Sequence, residues 1–208
     1  MCASYGLDPR VGDYASFAAA NDKAAIQSLL AWAEANEGAV IRPTGRIARN
    51  LNPVIRGANF ERAWWGFLAN GEPVKFPSIN TRIESLLERP GKAKKRVLVP
   101  ASYWFEHEKP SKARWAFTLP ESELFGIAAI AQTARLDEGT ITTYSIVTQP
   151  AAAHITAIHD RMPLVIGPSM YASWLDEGEQ GSRELVEAAA ASSSALVHSV
   201  LASLSLNL

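Results

Sequence analysis

Cys2 is the sole cysteine in 208 residues and directly follows the initiator methionine. Once Met1 is removed, Cys2 carries an α-amine with a reference pKa of roughly 7.7–8.0 and a thiol of about 8.5 on adjacent carbons. Such a 1,2-aminothiol condenses with an aldehyde to an imine, and the sulfur closes onto the imine carbon as a five-membered thiazolidine. The ring makes that adduct longer-lived than a plain Schiff base. A lone cysteine is otherwise an inert small hydrophobe, so partners for this chemistry must be sought elsewhere in the chain.

Two stretches hold groups able to move protons near neutral pH. Glu106 follows the aromatic run Tyr103-Trp104-Phe105, which sets its carboxyl against apolar surface. Burial raises a carboxyl pKa and poises the group as an acid or base; a surface glutamate at a strand end is the alternative. His159-Asp160-Arg161 lies between Ile158 and Met162-Pro163-Leu164. Each of the three is costly to bury unless paired, so the segment is either a reactive site or a structural ion pair. Asn80 precedes a helix, where polar residues are ordinarily caps.

Cations and aromatics flank these groups. Arg42, Arg46, Arg49 and Arg56 occur with no acidic residue among them, a solvated face or a phosphate track. Arg89–Arg96 places five cations in eight residues, which reads as a flexible basic loop. Trp64 and Trp65 sit on a strand, where successive side chains face opposite ways. One indole is therefore expected to face outward, as base stacking requires.

The elements that position these residues follow from periodicity. Ile26, Leu29, Leu30 and Ala33 mark one face of a helix starting near Asn21 or Asp22 and ending at Gly38. A second helix spans Arg82 to about Glu88, stopped by Pro90-Gly91. Strands are expected over Arg62–Leu68, Val97–Pro100, Trp115–Leu119, Leu124–Ala131 and Ile141–Thr148, with turns at Asn70-Gly71, Pro120-Glu121 and Glu138-Gly139. From about Arg183 the chain is rich in Ala and Ser, and Leu196, Val200 and Leu204 suggest an amphipathic helix. No repeat or linker interrupts the chain, so a single domain over 1–208 is expected.

Composition narrows the function classes. Hydrophobic residues at 48% and charged residues at 20% fit an ordinary globular chain, and a net charge of −1 means that any anion-binding surface is local. One cysteine excludes an intramolecular disulfide framework and suits the cytoplasm. The N-terminus lacks the pattern of a secretory signal, and no apolar run reaches the ~18 residues of a membrane span. His107, His154, His159 and His198 lack ligand spacing, so neither metal nor cofactor is expected.

Taken in order, Met1-Cys2, the Arg-Pro-Thr stretch at 42–44, Trp65-Gly66, Ile79-Asn80-Thr81-Arg82-Ile83-Glu84, Val99-Pro100-Ala101 with Glu106, and His159-Asp160-Arg161-Met162-Pro163 resemble the SOS-response-associated peptidase (SRAP) family. The resemblance is strongest over residues 1–175 and leaves 176–208 as a helical Ala/Ser-rich tail. It implies a single α/β (α+β) domain on a mostly antiparallel, open or barrel-like sheet with flanking helices. It implies binding of single-stranded DNA and covalent capture of abasic sites, whose ring-opened sugar presents an aldehyde, with possible lyase or reversal activity. The catalytic set carried over is Cys2, Asn80, Glu106 and His159, with Arg82, Arg161, Trp64, Trp65, Arg42 and Arg46 as DNA contacts. A monomer is expected, cytoplasmic and nucleoid-associated when bound to DNA. A thiol-dependent (auto)peptidase using Cys2 and a non-catalytic DNA-binding module are the competing functions.

The chain departs from that pattern at defined places. Ala3-Ser4-Tyr5 stands where the family continues with Gly-Arg-Phe, which removes an arginine near the nucleophile and about one phosphate contact. His107 replaces the tryptophan common after Glu106, and Phe125–Ala129 lacks a tryptophan usual there.

Overall fold

A computed structural model describes residues 4–17, 23–43, 51–74, 78–109, 111–120, 124–176, 181–197 and 201–204. In chain order, the first elements are β1 (Tyr5–Gly6), α1 (Lys23–Ala35), β2 (Leu51–Arg56), β3 (Asn59–Trp65), β4 (Leu68–Ala69), β5 (Glu72–Pro73), β6 (Asn80–Arg82) and α2 (Ile83–Glu88). There follow β7 (Arg96–Ala101), β8 (Tyr103–His107), β9 (Arg114–Thr118), β10 (Phe125–Leu136) and β11 (Gly139–Pro150). The last are β12 (Arg161–Pro163), β13 (Val165–Ile166), α3 (Pro168–Leu175), α4 (Arg183–Val197) and β14 (Leu201–Leu204).

Five strands close on themselves. β3 pairs antiparallel with β2, β2 with β7, β7 with β10 and β10 with β11, and β11 returns to β3 in parallel. The result is a mixed five-stranded barrel in a single α+β domain. Because side chains alternate along a strand, each strand supplies both an interior and an exterior. Val54, Val99, Ile127 and Ile146 belong to one buried cluster. Their chain neighbours Ile55, Leu98, Ala128 and Val147 belong to another, which α2, α3 and α4 cover. Burial on both faces is why Val97-Leu98-Val99 reads as a continuous apolar run rather than an alternating one. At Gly126 the covering helix comes so close that a Cβ would lie 2.8 Å from the Tyr171 ring.

A smaller sheet in the order β1-β8-β9-β14 stands beside the barrel. Trp104 on β8 joins the two, stacked on Phe117 of β9 at 5.1 Å and edge-on to Phe125 of β10 at 5.6 Å.

Neither indole of the tryptophan pair faces solvent: Trp64 is 5% exposed and Trp65 2%. Trp65 lies in the barrel cluster, between Tyr5 at 5.3 Å and Tyr144 at 6.0 Å. Trp64 points outward but is covered by the β4–β5 hairpin, whose turn uses positive φ at Asn70 and Gly71. The C-terminal segment is not one helix. It stops at Val197, and Leu201–Leu204 returns as a strand on the edge of β9, while Val200 lies outside the described residues.

The basic stretch is not a flexible loop either. Pro90–Lys94 forms a 3-10 turn, and Arg96 is buried. Its guanidinium donates to the carbonyls of Trp174 (2.6 Å), Ala93 (2.5 Å) and Asp176, which ties the end of α3 to the start of β7. Arg96→Met strips three carbonyls of a charged donor. It is expected to lower unfolding free energy by about 3 kcal/mol, measured by urea denaturation; a loss below ~0.5 kcal/mol would contradict this role for Arg96.

Candidate active site

Glu106 owes its position to two strand pairings. β1 runs antiparallel to β8 with Tyr5 opposite Trp104, and the Phe105 N–H donates to the Ser4 carbonyl at 2.9 Å. β9 lies on the other side, with Trp115 opposite Glu106. Alternation puts Glu106 on the face of Trp104, toward the apolar cluster, and its side chain is 3% exposed. Burial is the main cause that pushes its carboxyl from the ordinary 4.5 up to about 7. A surface glutamate at a strand end is thereby ruled out.

His159 reaches the same place from β11. After Pro150 the chain makes a compact turn anchored by buried Ile155 and Ile158, and the Ala151 N–H donates to the Asp160 carbonyl at 3.0 Å to close it. The His159 Nε2 then stands 3.8 Å from Glu106 Oε2, with the imidazole 8% exposed. That separation is longer than a hydrogen bond but short enough for strong electrostatic coupling. Burial, as the largest cause, lowers the His159 pKa. Judged by distance alone the two form an ion pair. Desolvation instead favours the neutral form of each, so near pH 7 a largely neutral imidazole faces a half-protonated carboxyl.

The other imidazole nitrogen sits in an amphoteric socket. Nδ1 is 3.0 Å from both the N–H and the carbonyl oxygen of Arg161, and 3.2 Å from the carboxylate of Asp160, itself 80% exposed. An unprotonated Nδ1 accepts from the N–H; a protonated one donates to either oxygen. Both tautomers of His159 are therefore held in one orientation. A group that passes a proton from one face and regains it on the other needs this property.

Asn80 lies on β6, in parallel register with Ile146 of β11, and its Oδ1 is sealed from solvent. The strand is held by the Ile79 carbonyl, which accepts from Ile146 N–H (3.0 Å) and Trp65 Nε1 (2.8 Å). The residue at the mouth of α2 is Arg82, which makes no side-chain cap, so Asn80 is not a helix cap. Arg82 is exposed at the end of β6, and Arg42 is exposed next to Ile41, whose backbone pairs with Tyr5. Arg161 is partly buried, and its guanidinium clasps the Glu84 carboxylate at 2.6 and 3.0 Å and the Thr148 carbonyl at 2.7 Å. Cys2 and Arg46 lie outside the described residues. Of the expected site residues, Glu106 and His159 are brought face to face at 3.8 Å, whereas Trp64 and Trp65 are buried.

Two residues near the pair had no assigned role in the sequence reading. Glu84 binds Arg161 across 77 positions of sequence, a contact that periodicity cannot reveal. Trp115 is set beside Glu106 by the register of β8 and β9, which depends on the intervening turn. Among the described residues no group of three or more His, Cys, Asp or Glu is placed to hold a metal ion. No described helix is long and apolar enough to cross a membrane.

A family model described as SOS response associated peptidase (SRAP) matches residues 1–204. The chain belongs to this family. Among curated relatives, the abasic site processing protein YobE of Bacillus subtilis is 29% identical over 54% of this chain and 56% of its own length. The abasic site processing protein YedK of Escherichia coli is 31% identical over 68% of this chain and 61% of its own. The chain thus spans little more than half the length of the curated relatives it matches. In fold it is similar to a crystal structure of a protein from Bacteroides thetaiotaomicron, with a TM-score of 0.69 and 17% identity over 98% of this chain and 91% of the other. A structure from Bordetella bronchiseptica gives 0.62 at 17% identity with both chains fully covered.

The raised carboxyl pKa of this SRAP chain has a consequence for stability. A native state that binds the Glu106 proton more tightly than the unfolded chain loses stability as pH rises from 4.5 to about 7. Glu106→Gln removes that cost. The variant is expected to gain on the parent by up to about 3 kcal/mol between pH 5 and pH 8, read as the difference in urea midpoints at the two pH values. A difference that does not change with pH would show that the carboxyl is not buried as described.

Proposed function

We propose that this SRAP chain captures abasic sites in single-stranded DNA by covalent attachment through Cys2, with Glu106 and His159 as the proton-transfer pair. The observation that carries the reading is the buried carboxyl–imidazole pair, 3.8 Å apart, beside the strand that leads back to the N-terminus. Ser4 is bonded to β8 one residue from Glu106, and two residues of chain span at most about 7 Å. The reading requires the amine and thiol of Cys2, two positions before Ser4 in the sequence, to meet the pair. The names of YobE and YedK, abasic site processing proteins, point to the same substrate.

The steps balance without a further reactant. After Met1 is removed, the Cys2 amine adds to the C1′ aldehyde of the ring-opened sugar, and the carbinolamine loses one water to give the imine. The thiol then adds to the imine carbon, its proton passing to nitrogen, and the thiazolidine closes. Addition requires a free amine, which the Glu106 carboxylate secures by taking its proton. Loss of water requires an acid, which the protonated Glu106 supplies. His159 acts on the sugar oxygen during ring opening and in reversal, its Nδ1 socket allowing Nε2 to donate or accept. Asn80 is neutral and orients the amine or a sugar hydroxyl. Arg42 and Arg82, both exposed, suit the phosphates, whereas the buried Trp64 and Trp65 leave base stacking to other side chains.

Intact mass of untagged protein with single-stranded DNA bearing one abasic site tests this reading. Loss of Met1 and a gain of the oligonucleotide mass less one water are expected, abolished in Cys2→Ala and slowed about 100-fold in Glu106→Gln. Processed protein with a free Cys2 that forms no adduct, yet cleaves peptides, would replace this reading with a thiol peptidase.

A further inference from the structure

We propose that Tyr5 and Gly6 are positioning residues for the Cys2 aminothiol: together they admit a single register of β1, and so fix the strand from which Cys2 is presented. β1 is only two residues long. Its edges are held by backbone bonds, in which the Gly6 carbonyl accepts from Ser102 N–H at 2.8 Å and the Ser4 carbonyl from Phe105 N–H at 2.9 Å. On the other edge Tyr5 exchanges both of its backbone groups with Ile41, at 3.1 and 2.8 Å. Such bonds are blind to side chains and would hold a slipped strand equally well.

The side chains remove that freedom on both faces. On the inner face, Tyr5 enters the barrel cluster, packs on Trp65 at 5.3 Å, and its hydroxyl lies 2.9 Å from that of Tyr144, with Tyr5 and Tyr144 both fully buried. Phenylalanine stands here in the SRAP pattern, so the hydroxyl bond is an addition of this chain. Trp65 also donates to the carbonyl of Ile79, the residue before Asn80, so the same buried knot serves β6. On the outer face, the Tyr103 ring lies across Gly6 so closely that a Cβ there would stand 2.1 Å from it. Only glycine fits beneath that ring. A slip of one residue would set Tyr5 or Leu7 opposite Tyr103 in place of Gly6, and would turn each side chain of the strand to the other face.

The proposal rests on the reading that Cys2 captures abasic sites, and its test separates the two. Gly6→Ala, Tyr103→Ala, the double variant Gly6→Ala/Tyr103→Ala and Tyr5→Phe are compared in the full chain. The readouts are amide hydrogen exchange, the adduct rate at saturating abasic DNA, and the affinity for single-stranded DNA carrying a tetrahydrofuran site. Gly6→Ala is expected to speed exchange at the Ile41, Ser102 and Phe105 amides about tenfold, with no change at the barrel amides of Ala128 and Ile146. Its saturating rate falls about tenfold, with affinity kept within about twofold. Removing the ring makes room for the added methyl, so the double variant recovers the exchange and the rate of Tyr103→Ala. Tyr5→Phe loses one bond but keeps the ring, and shifts exchange and rate in the same direction by about fivefold. Unchanged exchange at the three amides in Gly6→Ala would overturn the proposal, as would a double variant that stays as slow as Gly6→Ala. Should Gly6→Ala not fold, Tyr5→Phe decides, and exchange and rate equal to the parent's would overturn the proposal. If the parent forms no adduct, the abasic-site reading fails, and hydrogen exchange decides the register role alone.

Discussion

The desolvation of one carboxyl organises this molecule. Glu106 is held on the apolar face of β8 by strands on both sides, and taking its charge out of water is costly enough that the group stays protonated far above the usual range. That state persists only while the surroundings are fixed, because a carboxyl free to swing into water would regain its charge. The stack of Trp104 on Phe117 and the pairing of β1 with β8 keep the strand from moving. His159, neutral for the same reason, completes a pair in which protons can move without creating isolated buried charges.

The barrel supplies rigidity from which the site is hung. β11 exchanges partners along its length: β10 and β3 flank its first half, β12 and β6 its second. Where the barrel partners leave, Asn80 arrives on one side and the turn that carries His159 on the other. The site thus forms at the barrel end, where backbone groups are no longer all committed to the ladder and can serve side chains. The Nδ1 socket is one result, since an internal strand residue could not present both its N–H and its carbonyl to a neighbouring ring.

Much of this was legible in the order of the residues. Three aromatics ahead of Glu106 are a strong sign of burial, and the carboxyl is buried; the polar triplet between Ile158 and Met162 brings His159 up to it. Barrel strands were found from apolar runs, and Asn70-Gly71 from its turn chemistry. The misplaced features depend on closure and distant pairing. Alternation does send Trp64 and Trp65 to opposite faces, but a barrel covered by helices and a hairpin leaves neither face wet. Basic composition suggested a loose loop over Arg89–Arg96, yet the carbonyls of Ala93, Trp174 and Asp176 draw Arg96 inward. Helical periodicity ran past Val197 because the free edge of β9, which captures the last strand, has no local signature.

The most direct test of the account is a 13C titration of the Glu106 carboxyl in the intact protein, assigned by comparison with Glu106→Gln. A midpoint near 7 is expected, against 4.5 for an ordinary glutamate, with a coupled displacement in the His159 ring resonances over the same range. A midpoint at or below 4.5 would mean that the carboxyl is charged throughout the physiological range, and the pair could not exchange protons as described.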